Sequence, residues 1–575
     1  MPVYNEDIAS VFDEMADLLE IESANPFRVR AYRSAARTVR GLSRELSELI
    51  EQGEDLTKLP TIGKDLAAKI NEMISTGKVL ALDKLHREVP ASLEELLKIP
   101  GLGPKRVHAL YHELGIKTLA QLERAAKKGR LRDLPGFGTR TEQQVKDTIA
   151  SHRQKKRHFT RNIAMERGEP LLRYLQLDKH VRQAVIAGSY RRGKETVGDL
   201  DILASSTDPE PVMDRFVRYA DIREVISKGS TRTSVILGCG MQVDLRVVED
   251  DQFGAALHYF TGSKAHNIQI RRLGQQAGLK INEYGVFRGT ERIAGGTEQS
   301  VFKAVGLPYI PPELRRGHHE IQAARDKQLP RLVELKDIKG DLHVHTNASD
   351  GFADMQTMVL AARDYGLKYL AITDHSRHLT VAHGLDPKRL LQQLDQIDRL
   401  NDEIKGITIL KGIEVDILED GKLDLPNNVL AKLDLVIGAV HSQFRLSRDK
   451  QTERILRAMD NRYFSILAHP TGRLLEERRP YNVDVEVLIN MARERKCFME
   501  LNSQPLRLDL TDIYCEMARS AGVLVSIDSD SHNERGFDNL QFGISQARRG
   551  WLEKADVLNT RSLAALRKLL KETML

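Results

Sequence analysis

The period of apolar and polar positions changes along this chain, and each change marks a different kind of module. Up to about residue 150, apolar residues recur at helical spacing, as in Asp65 to Ile74 and Lys105 to Leu114. Three Gly-bearing turns punctuate these helices: Leu59-Pro60-Thr61-Ile62-Gly63-Lys64, Ile99-Pro100-Gly101-Leu102-Gly103-Pro104 and Leu134-Pro135-Gly136-Phe137-Gly138-Thr139. Further on, Met241 to Val248 reads as a strand, broken in polarity by Asp244. From Ile338, short apolar runs end repeatedly in ionisable residues and alternate with helical segments such as Met355 to Tyr365 and Val485 to Arg495. Strand–helix alternation of this kind predicts a parallel α/β barrel with its functional groups at the strand carboxyl ends. Even Leu435 to Val440, among the longest apolar runs, is far short of the roughly 18 residues of a membrane span.

At 575 residues the chain exceeds one core, and about three to five modules are expected. Three scattered cysteines, Cys239, Cys497 and Cys515, exclude a disulfide framework and a thiolate zinc site. With an N-terminus that lacks a signal-peptide pattern, this predicts a cytoplasmic protein. The net charge of +6 only permits nucleic-acid binding. Local clusters say more: Arg28, Arg30, Arg33, Arg37 and Arg40 crowd one helical segment, and His152 to His158 is a basic run. Such clusters can meet phosphates and release counterions.

The most informative segment is Gly188-Ser189-Tyr190-Arg191-Arg192-Gly193, followed by Asp199-Leu200-Asp201. Residues two apart on a strand share a face, so Asp199 and Asp201 can share a divalent cation. With Asp244 on a second strand, three carboxylates beside a Gly/Ser/Arg loop suit two-metal phosphoryl transfer. Nine further N/O donors lie in the last part of the chain: His343, His345, Asp350, His375, Glu414, His441, His469, Asp530 and His532. That number exceeds the needs of one ion, so a cluster of two or three divalent ions is expected, with Mn²⁺, Zn²⁺ or Fe²⁺ as candidates. In the glycine turns, uncovered N–H groups at a helix start can hold phosphate without reading bases.

These motifs resemble two families that together cover nearly the whole chain. The Gly-Ser loop and the three aspartates resemble the palm of the family X DNA polymerases, the group that includes DNA polymerase beta. The resemblance implies that Gly188, Ser189, Arg192 and Gly198 contact the triphosphate, with a phosphate contact missing at Val197. It also implies that Tyr259, Phe260 and Gly262 form a sugar-checking turn and that Asn267 meets the incoming base. Gly306-Leu307-Pro308-Tyr309 resembles the end of the family's thumb. The glycine turns resemble helix-hairpin-helix motifs, which makes Gly63, Gly101, Gly103, Gly136 and Gly138 candidate DNA-backbone contacts. Residues 1–89 resemble the amino-terminal domain that grips the 5′ side of a gap, with Arg28, Tyr32 and Arg33 at its phosphate pocket. Lys69 falls at the Schiff-base position of some members. Asp65 stands one turn away and opposes the lowered amine pKa such chemistry needs, so a plain phosphate-binding or surface role is equally open.

Residues 338–575 resemble the PHP (polymerase and histidinol phosphatase) metallophosphoesterase domain, and the nine donors match its motifs without replacement. Asp374 and Asp528 are candidates for orienting these ligands. The combined resemblance is to the bacterial-type family X polymerase with a C-terminal PHP domain. It implies helical helix-hairpin-helix modules (1–89 and 90–150), an α+β palm (151–255), a thumb (256–317), a linker (318–337) and an α/β PHP barrel (338–575). It also implies Mg²⁺ or Mn²⁺ at the polymerase site, dNTPs and gapped or primed duplex DNA as partners, a monomer, and gap filling in base excision repair. The PHP activity stays open between a 3′→5′ exonuclease, a 3′-end cleaner and an abasic-site endonuclease. Two alternatives are a DNA-binding scaffold with weak catalysis and a small-molecule phosphatase fused to a nucleotidyltransferase.

Overall fold

The computed structural model describes residues 5–574 except 23, 42–45, 52–53, 60, 91, 98–101, 133, 135–136, 139–141, 143–144 and 147–157. Gly101, Gly136 and the basic run as far as Arg157 therefore lie outside the described residues, as does the side chain of Arg40. The chain forms two units, Met1–Arg157 and His158–Leu575.

The first unit is helical. Ile8, Phe12 and Met15 of Asn5–Ile21 bury against Tyr32, Ala35 and Val39 of Pro26–Gly41, as the helical spacing of their apolar residues requires. The same core continues through Ile70, Val89 and Leu93 to Val107 and Leu110, so both expected helical modules share one apolar cluster. Gly63 is the N-cap of Lys64–Thr76, and Gly103 that of Pro104–Leu114, where Pro104 suits the first helical turn.

In the second unit, a five-stranded sheet has the order Gln183–Ile186, Asp199–Ser205, Gln242–Val248, Arg232–Leu237 and Ile222–Lys228. Only the central pair, carrying the aspartates, is parallel. Leu200, Ile202 and Ala204 alternate into a core covered by Arg161–Gln176 and Pro209–Val217, which leaves the odd positions on the opposite face. Helices Phe253–Thr261 and Lys264–Gln276, a three-stranded antiparallel sheet and helix Glu298–Ala304 follow, packed around Ile270, Val286 and Phe302. Stretch 318–337, expected as a linker, packs against this core. Ile321, Ala324 and Leu332 join this core with Trp551, because burying them outweighs leaving apolar surface in water.

The last part is built of parallel strands in two sheets. The isolated parallel pairings His375↔Glu414 and Val344↔Ser531 join the two sheets. This is the expected α/β barrel in distorted form. One apolar layer, including Leu342, Ala371, Leu410, Ile437 and Ile466, meets Leu566 and Leu570 of the terminal helix Leu563–Thr573. A one-residue bulge between Asp341 and Val344 re-aims the first strand where its histidines begin.

Candidate active sites

Strand pairing places Asp201 directly opposite Asp244, with Asp199 two residues before Asp201. Burial, then Asp199 and Asp244, raise the Asp201 carboxyl to about 7. A carboxyl raised by two neighbouring carboxylates calls for a cation, and the donor set is all oxygen, as Mg²⁺ or Mn²⁺ prefers. A cavity of about 120 Å³ opens here, lined by Asp201, Arg232, Asp244, Arg246 and Phe260 among others. Asp244 accepts from Gln242 (2.9 Å) and from the largely exposed Arg232 (3.0 Å).

The loop fits tightly over this cluster. Gly188 has φ +61°, and a Cβ there would stand 2.3 Å from Asp201 Oδ2, so geometry and space both demand glycine. Ser189 follows in the short helix Gly188–Arg191. Burial, followed by the neighbouring Arg549, lowers the Arg192 guanidinium to about 10, and Arg192 donates to the Thr261 carbonyl. Arg191 pairs bidentately with Glu298 (2.6 and 2.9 Å), which also accepts from Arg315 (2.6 Å), tying the loop to the following helical part. Val197 is fully buried, and a Cβ at Gly198 would meet nothing within 4 Å.

Phe260 lines the cavity, with the Arg246 guanidinium 4.7 Å from its ring centre and the Tyr259 ring edge-on at 5.2 Å. These two residues end a helix rather than form a free turn, and the turn proper is Gly262 at φ +66°. Asn267 is turned inward, its amide donating to the Tyr259 carbonyl at 2.7 Å.

In the helical unit the expectations divide. Arg28 is exposed. A Cβ at Gly63, Gly103 or Gly138 would meet nothing within 4 Å, so internal packing leaves these positions open to approach from outside. Tyr32 is a correction: it is 2% exposed, edge-on to Phe12 at 5.8 Å, and serves the core rather than a phosphate pocket. Arg33 is claimed by Asp17 (2.6 Å) and Glu20 (3.1 Å). Lys69 donates to Asp65, the anion that disfavours a Schiff-base amine.

At the barrel mouth, all nine predicted donors converge in overlapping groups. His345, Asp350, His375 and His532 form one; His343, His345 and Asp530 a second; His375, Glu414 and His441 a third. His469 Nε2 lies 2.9 Å from Glu414 Oε1, so Glu414 stands amid the set. Several donors approach one another without hydrogen-bond geometry. His343 Nε2, both nitrogens of His345, His375 Nδ1, Glu414 Oε2 and His469 Nδ1 are buried with no hydrogen-bond partner. Native interiors rarely leave such atoms unmatched, and shared divalent ions would satisfy them. Burial, helped by His532 and His375, lowers His345 to about 3; burial with Arg507 does the same to His469. Against the same burial, neighbouring carboxylates such as Glu414, Glu500 and Asp350 raise His343, His375, His441 and His532, so the six rings do not shift in one direction.

Other residues brace these ligands. Glu500, missed from sequence, is buried and lies 2.6 Å from His343 Nδ1, while its other oxygen accepts from the His469 N–H at 2.6 Å. Asp416 lies 3.1 Å from His441 Nδ1, and Asn502 donates to Asp530 at 2.9 Å. Such contacts fix ring orientation and ligand basicity. Asp374 holds the loop before Asp350, accepting from Thr346, Ser349 and Gln393. Asp528 accepts from the Leu342 N–H at 2.9 Å, so both aspartates position ligand-bearing backbone.

Comparison with known proteins agrees with this layout. Residues 171–229 match the DNA polymerase beta palm and 256–316 its thumb. Residues 3–79 match a helix-hairpin-helix domain, 93–151 a SAM-like helix-hairpin-helix tandem, and 341–503 the PHP domain. The chain is 38% identical over 577 residues, 99% of its length and 100% of the relative's, to the DNA polymerase/3′-5′ exonuclease PolX of Bacillus subtilis (strain 168). The chain belongs to the bacterial family X DNA polymerases. As in that family, a polymerase beta-type palm and thumb precede a PHP domain in one nucleotidyltransferase chain. It is also 25% identical to the DNA polymerase lambda of Rattus norvegicus over 349 residues, covering 54% of this chain and 56% of that one. The family X chain shares 31% identity over 205 residues, 33% of its length, with 75% of a probable phosphatase of Caldanaerobacter subterraneus subsp. tengcongensis. No helix among the described residues is long and apolar enough to cross a membrane.

Proposed function

We propose that this family X polymerase fills short gaps in duplex DNA, as in base excision repair, and that its PHP domain hydrolyses phosphodiesters from the 3′ end. The observation that carries the first half is the register of Asp201 against Asp244 beneath a loop whose glycine touches Asp201. Asp199, Asp201 and Asp244 would hold two Mg²⁺ or Mn²⁺ ions. Arg192 and Ser189 grip the triphosphate of an incoming dNTP, and Phe260 with Tyr259 borders its sugar. The glycine-capped helices at Gly63 and Gly103, together with the open Gly138, hold the DNA backbone, with Arg28 on the 5′ side of the gap.

In the PHP domain, the nine donors would hold two or three divalent ions, and Glu500, Asp416 and Asn502 keep their ligands aimed. Ions bound in such sites lower the pKa of an attacking hydroxyl or water and neutralise charge on the leaving oxygen. The relative named as a 3′-5′ exonuclease favours a nuclease, and the probable phosphatases favour small phosphomonoesters as a second reading. The modules are assigned as 1–89, 90–150, 151–255, 256–317 and 338–575, with 318–337 joining the last two. Incorporation of labelled dNTP into a one-nucleotide gap tests the polymerase. Shortening of a 3′-labelled oligonucleotide, compared with hydrolysis of a small phosphomonoester, tests the PHP reading. Faster turnover of the phosphomonoester would replace the nuclease by a phosphatase.

A further inference from the structure

Three loops around the barrel mouth each carry an exposed apolar side chain, although each loop is anchored on a metal-ligand candidate. Phe352 is 84% exposed, two residues after Asp350, and its N–H donates to the His532 carbonyl at 2.7 Å. Val381 is 88% exposed on a turn whose return strand is fixed by the Leu385 N–H to the His375 carbonyl at 2.7 Å. Leu506 is 43% exposed on a turn that Gln504 anchors by donating to the Asp530 carbonyl at 2.6 Å. Arg389 joins the first two loops, donating to the carbonyls of Ala348 (2.5 Å) and His383 (2.7 Å). Exposed cations share the rim: Arg377 stands two residues after His375, and Arg535 three after His532.

An aromatic ring left almost wholly in water gains nothing from folding, and beside a phosphate-cleaving mouth it is open to a ligand. A small sugar phosphate offers mostly hydroxyls to such a rim. A nucleobase offers a flat apolar face, and its strand offers phosphates for Arg377 and Arg535. We infer that Phe352 is a stacking platform for the unpaired terminal base of a DNA strand whose 3′ end enters the PHP centre, with Val381 and Leu506 on the other two loops of the mouth. The inference rests on the nuclease reading above and specifies its substrate: a frayed or single-stranded end rather than a paired one. Stacking is blind to base identity, so the platform accepts all four bases.

The test compares Phe352→Ala, Phe352→Trp and the unaltered full-length protein, loaded with Mn²⁺, on two single-stranded oligonucleotides. One ends in a normal nucleotide, and the other in an abasic tetrahydrofuran sugar. Phe352→Ala should lower kcat/KM on the normal end by about tenfold, in keeping with the loss of one stacked base. It should leave cleavage of the abasic end unchanged, and Phe352→Trp should restore the normal end. Equal rates for Phe352→Ala and the unaltered protein on the normal end, or an equal loss on both ends, would overturn the platform. An unaltered protein that cleaves neither oligonucleotide would instead remove the nuclease reading on which the platform stands.

Discussion

Glu195, at the foot of the phosphate loop, is held bidentately by Arg473 of the PHP domain, at 2.6 and 3.2 Å. Arg473 lies four residues after His469, and Gln546 also donates to Glu195 at 3.3 Å. Nearby, Arg549 donates to the Arg192 carbonyl at 3.0 Å and is itself held by Asp512 at 2.7 Å. The PHP domain thus braces the backbone that carries Arg192.

Removing this brace should loosen the loop without touching its reacting groups. Glu195→Ala is expected to raise the KM for dNTP several-fold with little change in kcat. Steady-state gap filling over a range of dNTP concentrations checks this, and an unchanged KM contradicts it.

Gly188→Ala should be far more damaging. The new Cβ would collide with Asp201 Oδ2 at 2.3 Å on a backbone at φ +61°. Polymerase activity should fall by at least about a hundredfold, the order expected when catalytic groups are displaced by about 1 Å. Phosphodiester hydrolysis by the same preparation should persist, which also shows that the variant is folded.

Glu500→Ala removes the partner of His343 Nδ1 and of the His469 N–H. Loss of such a contact typically weakens metal binding about 10–100-fold. Manganese titration followed by calorimetry, or metal content after dialysis, should show the loss, with gap filling intact.

Thiol chemistry offers a check on the cores. Burial pushes the Cys497 thiol up to about 12 and Cys515 well above its ordinary range. Both stay protonated and covered near pH 8, whereas Cys239 is only partly buried. An aromatic disulfide reagent should therefore titrate one thiol in the native protein and three after denaturation. Three fast thiols in the native state would contradict this packing.

What could be read from the sequence, and what could not, has a physical pattern. Asp199, Asp201, Asp244 and the nine barrel donors were legible because strand periodicity places them directly, and polar groups inside apolar runs stand out. Glu500 sits in a similar run, Phe498-Met499-Glu500-Leu501-Asn502, and is missed although Glu414 is read from a strand end of the same kind. Tyr32 and Arg33 are placed at a phosphate pocket by resemblance, and nothing local reveals Phe12 against the one or Asp17 and Glu20 against the other. The connector's packing depends on Trp551, more than two hundred residues away, and local composition carries no trace of that contact.

The central claim is that extension and hydrolysis occur at separate cation-binding clusters in one chain. A single gapped duplex, labelled at the primer 3′ end, tests it with two double variants. Asp199→Ala with Asp201→Ala should abolish extension and spare shortening, whereas His343→Ala with His345→Ala should do the reverse. Loss of both activities in either variant, while its circular dichroism and thermal transition stay native, would contradict the account.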